Sequence, residues 1–394
     1  MTTLGDQQGL THICVSGSSR ECGRQYGQAA SGAISESLAA YEALFRYYSN
    51  IDWAEARKRA LAYVPAVEAY GSRYLEEMAG IAEGAACDFE DILALNVRSE
   101  LRYAGPVSAL TQSASPQGTD RGECTAVVAL PSVTADGHTL LAQNWDWKTH
   151  ARVTNLLLEV HQKEGPDYVT LVEAGLLAKA GMNDCGLGLV TNTLVSSLDR
   201  GEPGVPYHVV LRSILDCESI SDALGRVLSA SRSSSANYLL ASGDGLAVNL
   251  ECLQGDSAGV LSEAPHDGLF AHANHFRHAL ASARDLGLLL IPDTFFRQER
   301  LDDLLRERPI SVPLLQAALR DHANHPDGIC AHEHEDEQDF LRSATISSLI
   351  MDLSATRMWV ADGNPCQRPY FEMDYTTRFP GSRGSGRGQR APLE

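Results

Sequence analysis

The chain has 394 residues, 44% of them hydrophobic, and a formal net charge of −19 at pH 7. That size suits one large domain or two ordinary ones, and so acidic a balance argues against nucleic acid as a partner, because phosphates call for a basic face. No apolar run reaches the length of a bilayer, and residues 1–15 lack a basic stretch followed by an apolar one, so a soluble cytoplasmic protein without membrane association is expected.

The nine cysteines are an odd number and include no C-x-x-C pair. This spacing argues against a disulfide framework and against a structural zinc site, so reduced thiols and no metal or other cofactor are expected.

In chain order, residues 31–103 read as helical. Leu61, Val64, Val67, Tyr74, Met78 and Ile81 recur at helical spacing, and Asp88 has the character of an N-cap for a helix over 89–103. This predicts a helical N-terminal layer. Residues 105–123 are dense in Gly, Pro, Ser, Thr and Gln without a period, which predicts an exposed loop.

Short strand-like runs follow at 125–130, 138–144, 153–160, 168–173 and 187–193, separated by Asp-Gly, Glu-Gly and Asn-Asp-Cys-Gly turns. Helices are expected at 207–216 and 219–229, strands at 237–241, 246–251 and 269–271, helices at 293–306 and 312–321, and strands at 345–352 and 357–361. Such an alternation implies sheets covered by helices in layers. The basic stretch 382–390, within residues 381–394, reads as a disordered tail.

Four stretches carry candidate chemistry. Cys124, in GECTAVVAL, stands where a polar loop meets a strand, an unusual place for a packing thiol. Cutting the chain between Glu123 and Cys124 would free an α-amino group, whose ordinary pKa of about 7.7–8.0 suits it to serve as base for the adjacent thiol. Asp146, in QNWDW, is placed to orient such a nucleophile if the two strands are neighbours. Asn274, in HANHF, offers an amide for a developing oxyanion. Arg342, entering a strand in FLRSAT, offers a fixed fork of donors to a carboxylate or to the new amino terminus.

The run His332–Glu337 lacks the H-E-x-x-H order of a zinc hydrolase and reads as a solvated acidic loop. The weighed rivals are a metal hydrolase using His272, His275 and that loop, and a non-catalytic binding protein.

Together with Gly23–Gly27, Gly80–Ala85, Asp91–Asn96, Glu173–Leu176, Gly181–Asn183 and Gly204–His208, these stretches resemble, in their order, the acyl-coenzyme A:6-aminopenicillanate acyltransferase family and its hydrolase relatives, of the N-terminal nucleophile superfamily. The resemblance implies an α+β fold, a four-layer αββα sandwich, made as a precursor that cuts itself before Cys124. Residues 1–123 and 124–394 would then be the two chains of one domain, an α/β heterodimer. It further implies that Cys124 is nucleophile and base, that Asp146 and Arg342 organise it, that Asn274 holds the oxyanion, and that Asn192 and Thr125 add oxyanion or substrate contacts.

The expected substrate is a small-molecule amide, opened through an S-acyl intermediate by hydrolysis or by acyl transfer to an amine. Three features depart from the acyltransferase pattern. Glu123 stands where the penicillin enzyme has glycine; the 105–123 loop is longer, as a lid or propeptide tail would be; and Pro392-Leu393-Glu394 is not a peroxisomal S-K-L address.

Overall fold

The computed structural model describes residues 2–7, 9–111 and 123–379. Nine strands form a mixed sheet in the order β1 (Thr2–Gln7), β2 (Leu10–Gly17), β5 (Asn155–Gln162), β6 (Tyr168–Glu173), β7 (Ala180–Asn183), β8 (Leu187–Thr193), β9 (Ala236–Ser242), β10 (Ala247–Cys252) and β11 (Val260–Glu263). Among these pairings only that of β2 with β5 is parallel. Six strands form an antiparallel sheet in the order β12 (Leu269–His272), β3 (Thr125–Ala129), β4 (Leu140–Lys148), β13 (Ser343–Asp352), β14 (Arg357–Asp362) and β15 (Phe371–Asp374).

Side-chain alternation turns the six-stranded sheet into a two-faced layer. Val127, Ala129, Leu140, Ala142 and Ile350 pack outward against Leu301, Leu305, Leu315 and Leu319 of helices Thr294–Leu304 and Val312–Ala318 and the residues that follow them. Ala126, Val128, Leu141, Trp145 and Leu349 point the other way and share the main core with Leu156, Leu158, Leu189 and Leu240 of the larger sheet. Helices from residues 19–111 and 207–229 cover the larger sheet. The result is the αββα sandwich.

The N-terminal layer is not purely helical, since β1 and β2 precede it. It also contains a helix, Ser19–Ala29, that the sequence pattern does not announce. Two glycines on this helix explain the weak pattern, and with two more on the helix Arg73–Ala85 they explain the packing. A Cβ on Gly23 or Gly27 would lie 2.2 or 2.1 Å from the carbonyl oxygens of Glu77 and Ile81, and one on Gly80 or Gly84 would lie 2.2 or 2.1 Å from those of Arg20 and Arg24. Helices Ser19–Ala29 and Arg73–Ala85 thus meet backbone to backbone, a close approach that only glycine permits.

The expected helix over 89–103 is two helices, Phe89–Asn96 and Arg98–Thr111, and the second carries residues 105–111 of the expected loop. Tertiary packing overrides the local signal there. Gly105 lies against the Tyr48 carbonyl, where a Cβ would be 2.3 Å away, and Val107 is fully buried. The rest of that loop, residues 112–122, and the expected disordered tail lie outside the described residues.

Candidate active site

β3 and β4 pair antiparallel with Thr125 opposite Asn144, and extending that register by two residues carries Glu123 alongside Asp146. Asp146 is fully buried on β4. Across β13 the register slips between Thr345 and Ser347, and at this irregularity the Thr345 hydroxyl donates to Asp146 Oδ1 at 2.5 Å. Bulges of this kind re-aim side chains beside functional sites. Asp146 Oδ2 is buried and has no hydrogen-bond partner among the described residues. Burial pushes this carboxyl up to about 8, against the opposing pull of the Arg297 guanidinium and the Thr345 hydrogen bond.

Cys124 is wholly buried, yet charged groups surround it. Burial pushes its thiol up to about 12. The Lys179 ammonium opposes that rise, as does Arg297, while Glu123 and Asp146 reinforce it. Lys179 is itself buried, donates to the Tyr207 hydroxyl at 3.2 Å and sits 5.6 Å from the centre of the Trp145 ring.

Arg297, on the helix Thr294–Leu304, joins the pieces. Its Nε donates to Asp293 one turn earlier at 2.6 Å, which fixes the guanidinium. Its Nη1 lies 3.2 Å from the carbonyl oxygen of Glu123, 3.0 Å from that of Cys124 and 2.9 Å from Thr125 Oγ1. Its Nη2 donates to Asn274 Oδ1 at 3.0 Å. Asn274 Nδ2 in turn donates to the Thr193 carbonyl at 3.0 Å, and Asn192 Nδ2 donates to the Cys124 carbonyl at 2.8 Å. Glu123 is buried as well, its carboxylate accepting from the Tyr103 hydroxyl at 3.0 Å with Arg102 at 3.8 Å.

The structure therefore gathers Glu123, Cys124, Thr125, Asp146, Asn192 and Asn274 into one hydrogen-bonded and electrostatic cluster. Arg342 is elsewhere. Its guanidinium donates to the Glu335 and Glu337 carbonyls and lies 3.2 Å from Asp339, because the turn Asp339–Leu341 directs it toward the acidic loop rather than to Cys124. The guanidinium at the junction belongs to Arg297.

Sequence reasoning passed over Arg297 because FFRQERL looks like a solvated helix. Its trace lies in the spacing Asp293, Arg297, Leu301, a pair one turn apart on a buried stripe. Lys179 was also missed; it is the one charged residue within the apolar run 174–182, where a cation seldom sits without a partner.

His272 and His275 do not converge with the His332–Glu337 loop. His272 bonds Glu251 at 2.9 Å, His275 meets the Thr294 hydroxyl, and His334 pairs with Asp327. A small cleft opens beside the cluster, lined by Glu100, Tyr103, Thr193, Tyr207, Ser233 and Ser234.

A profile of the family "Acyl-coenzyme A:6-aminopenicillanic acid acyl-transferase" matches residues 133–367. That match defines an enzyme of the acyltransferase class. Within that class, the chain belongs to the acyl-coenzyme A:6-aminopenicillanic acid acyl-transferase family, among the amidohydrolases and acyltransferases of non-peptide C–N bonds. It is 27% identical over 359 residues to the acyl-coenzyme A:6-aminopenicillanic-acid-acyltransferase 40 kDa form of Emericella nidulans, covering 90% of this chain and 93% of that one. Among solved structures, it is similar to penicillin V acylase from Agrobacterium tumefaciens, with 15% identity, a TM-score of 0.43 and coverage of 67% and 89%. It is also similar to a mutant of conjugated bile acid hydrolase from Clostridium perfringens, with 10% identity, a TM-score of 0.44 and coverage of 66% and 95%.

Proposed function

We propose that the chain is a precursor that cuts its own Glu123–Cys124 bond and then, with Cys124 as amino-terminal nucleophile, hydrolyses a small-molecule amide. The single observation that carries this reading is the hydrogen bond from Arg297 to the carbonyl oxygen of Glu123. A buried cation on that oxygen is what attack at the carbonyl carbon requires, since negative charge develops there.

In the first stage, Cys124 Sγ adds to the Glu123 carbonyl carbon and Arg297 Nη1 holds the oxyanion. The C–N bond breaks, the thiol proton passes to the leaving nitrogen, and a thioester joins Glu123 to the sulfur. Water then hydrolyses the thioester, leaving a carboxylate on Glu123 and a free thiol and amine on Cys124. The free Oδ2 of Asp146 is an acceptor for the new ammonium.

In turnover, the α-amine takes the thiol proton as Sγ attacks the substrate carbonyl. Asn274, with one amide N–H beyond that given to the Thr193 carbonyl, supplies a donor for the oxyanion, and the amine returns the proton to the leaving amine. Water releases the acyl group.

Acyl transfer to a second amine is the alternative, favoured by the name of the matching family and of the Emericella relative. Intact mass measurement tests the first stage: wild-type protein should yield a species beginning at Cys124, and Cys124→Ala should remain full length. Uncut wild-type protein after long incubation would overturn it. A panel of N-acyl amines and β-lactams, assayed with and without an added acceptor amine such as 6-aminopenicillanic acid, separates release of free amine from formation of a new amide.

A further inference from the structure

Away from Cys124, four side chains from three separate stretches of the chain converge at one point: His322, Cys330, His332 and Cys366, whose ligand atoms all lie within 4.8 Å of one another. Cys330 Sγ is 3.6 Å from Cys366 Sγ, and His332 Nε2 is 3.7 Å from the first sulfur and 3.5 Å from the second. His322 Nε2 is 3.1 Å from His332 Nε2.

These separations have a chemical meaning. Zinc bonds of about 2.3 Å to sulfur and about 2.05 Å to nitrogen put ligands at the corners of a tetrahedron with edges of about 3.8 Å between sulfurs, about 3.5 Å between sulfur and nitrogen, and about 3.3 Å between nitrogens. The four separations given above each fall within about 0.2 Å of their edge, and the two from His322 to the sulfurs are no longer than 4.8 Å. With the imidazoles neutral and the thiols ionised, all four atoms turn lone pairs toward one point, as the ligands of a metal do.

We propose that His322, Cys330, His332 and Cys366 bind one zinc ion in a closed tetrahedral Cys₂His₂ site. Binding would release the two thiol protons, and the two thiolates would balance the ion's charge. Four protein ligands leave no position for water or substrate, so the ion is structural.

The surroundings fit that role. Asn364 Nδ2 lies 3.6 Å from Cys330 Sγ, an N–H aimed at sulfur, and also donates to the Ala331 carbonyl at 2.6 Å. Cys330 N donates to the Asp321 carbonyl and His332 N to that of Pro326, so the ligand loop is already folded back on itself. The ion would clip this loop to the turn after β14. From there the link to the active site is short: Ala331 N donates to Thr345 Oγ1, and Thr345 holds Asp146. The spacing His-x7-Cys-x-His followed by a distant cysteine contains no C-x-x-C, which is why the sequence argued against zinc.

The test uses the full chain, with any histidine tag removed, refolded or expressed with zinc and dialysed before elemental analysis. One zinc per chain is expected, with Cys366→Ser losing the metal and Cys185→Ser, at an exposed thiol elsewhere, retaining it. Cobalt(II) substitution should give the intense visible bands of a tetrahedral site and thiolate charge transfer, both lost in Cys366→Ser. A chelator should lower the melting temperature of the wild type and leave that of Cys366→Ser unchanged. Metal content far below one per chain after zinc reconstitution, equal zinc in wild type and Cys366→Ser, or an intact mass showing a Cys330–Cys366 disulfide in the native protein would each overturn the proposal. None of these readouts depends on self-cleavage or amide turnover.

Discussion

Arg297 donates through one nitrogen to the carbonyl oxygen of Glu123, 3.2 Å away, and the same nitrogen reaches the next carbonyl along the chain. The bond proposed to break therefore lies between two carbonyls that share one buried cation. Replacing Arg297 by lysine keeps a charge near Asp293 but removes the fork. Loss of one oxyanion donor slows such reactions by about 10²–10³-fold, so Arg297→Lys should accumulate uncut chain, seen by intact mass, while its circular dichroism stays native. Cutting at the wild-type rate would remove Arg297 from the mechanism.

Asp146→Asn should retain the hydrogen bond from Thr345 but lose the carboxyl proposed to accept the new ammonium. We expect protein that folds, with kcat reduced by about 10²-fold or more, in line with the effect of a positioned proton-handling group. Assay of amide turnover at saturating substrate is the check.

How far the site could be read in the sequence follows from how local each signal was. Cys124 and Asp146 announce themselves, one by standing at a loop–strand junction and the other by its two tryptophans; Asn274 stood out as an amide at a strand end, and Asn192 came through resemblance. Arg297 had no local mark, because a helix that presents charge to a buried junction looks the same in sequence as one that presents it to water. Arg342 was chosen instead for its place at a strand entry, and only the turn before it shows that it points outward. The strand pattern was clear for β6 and β8, while β2 was hidden by its own cysteine, serine and histidine. The helix Ser19–Ala29 was hidden by the glycines that let it pack.

Those glycines give a stability prediction. Gly80→Ala would put a methyl group 2.2 Å from the Arg20 carbonyl, a backbone atom that cannot rotate away. Overpacking of this kind costs about 1–3 kcal/mol, enough to lower the melting temperature measurably. Gly225→Ala, at a helical glycine whose Cβ would meet open space, is the control and should instead stabilise by about 0.5–1 kcal/mol through helix propensity.

The thiol of the uncut chain sets a pH dependence. Because burial holds Cys124 at about 12, its thiolate fraction should rise about tenfold with each pH unit below that value. Freshly translated precursor, sampled over time in buffers from about pH 6 to about pH 9, should cut faster as pH rises, since the thiolate is the attacking form. A flat profile would mean that attack by sulfur does not limit the rate.

Glu173 lies fully buried against Arg98, with Tyr41 bonded to both. Burial raises its pKa, but Arg98 and His150 overcome that and hold it at about 2, below its ordinary 4.5. A depressed carboxyl stabilises the fold fully above pH 4.5, and that contribution is lost as pH falls through about 2. Glu173→Gln should cost about 3–5 kcal/mol at neutral pH by leaving Arg98 without its counter-ion, and the loss should shrink on acidification. Urea midpoints measured across that range give the comparison.

The parallel pairing of β2 with β5 decides what a break at residue 123 does to the molecule. Residues upstream of the break supply two strands of the larger sheet, so the halves are woven through a common ladder rather than docked. Severing one peptide bond would leave them inseparable short of denaturation, and folding would have to precede the proposed cut. A fragment 124–394 made alone would expose β5 as a raw edge with eight unmet pairing positions at most, an invitation to aggregate.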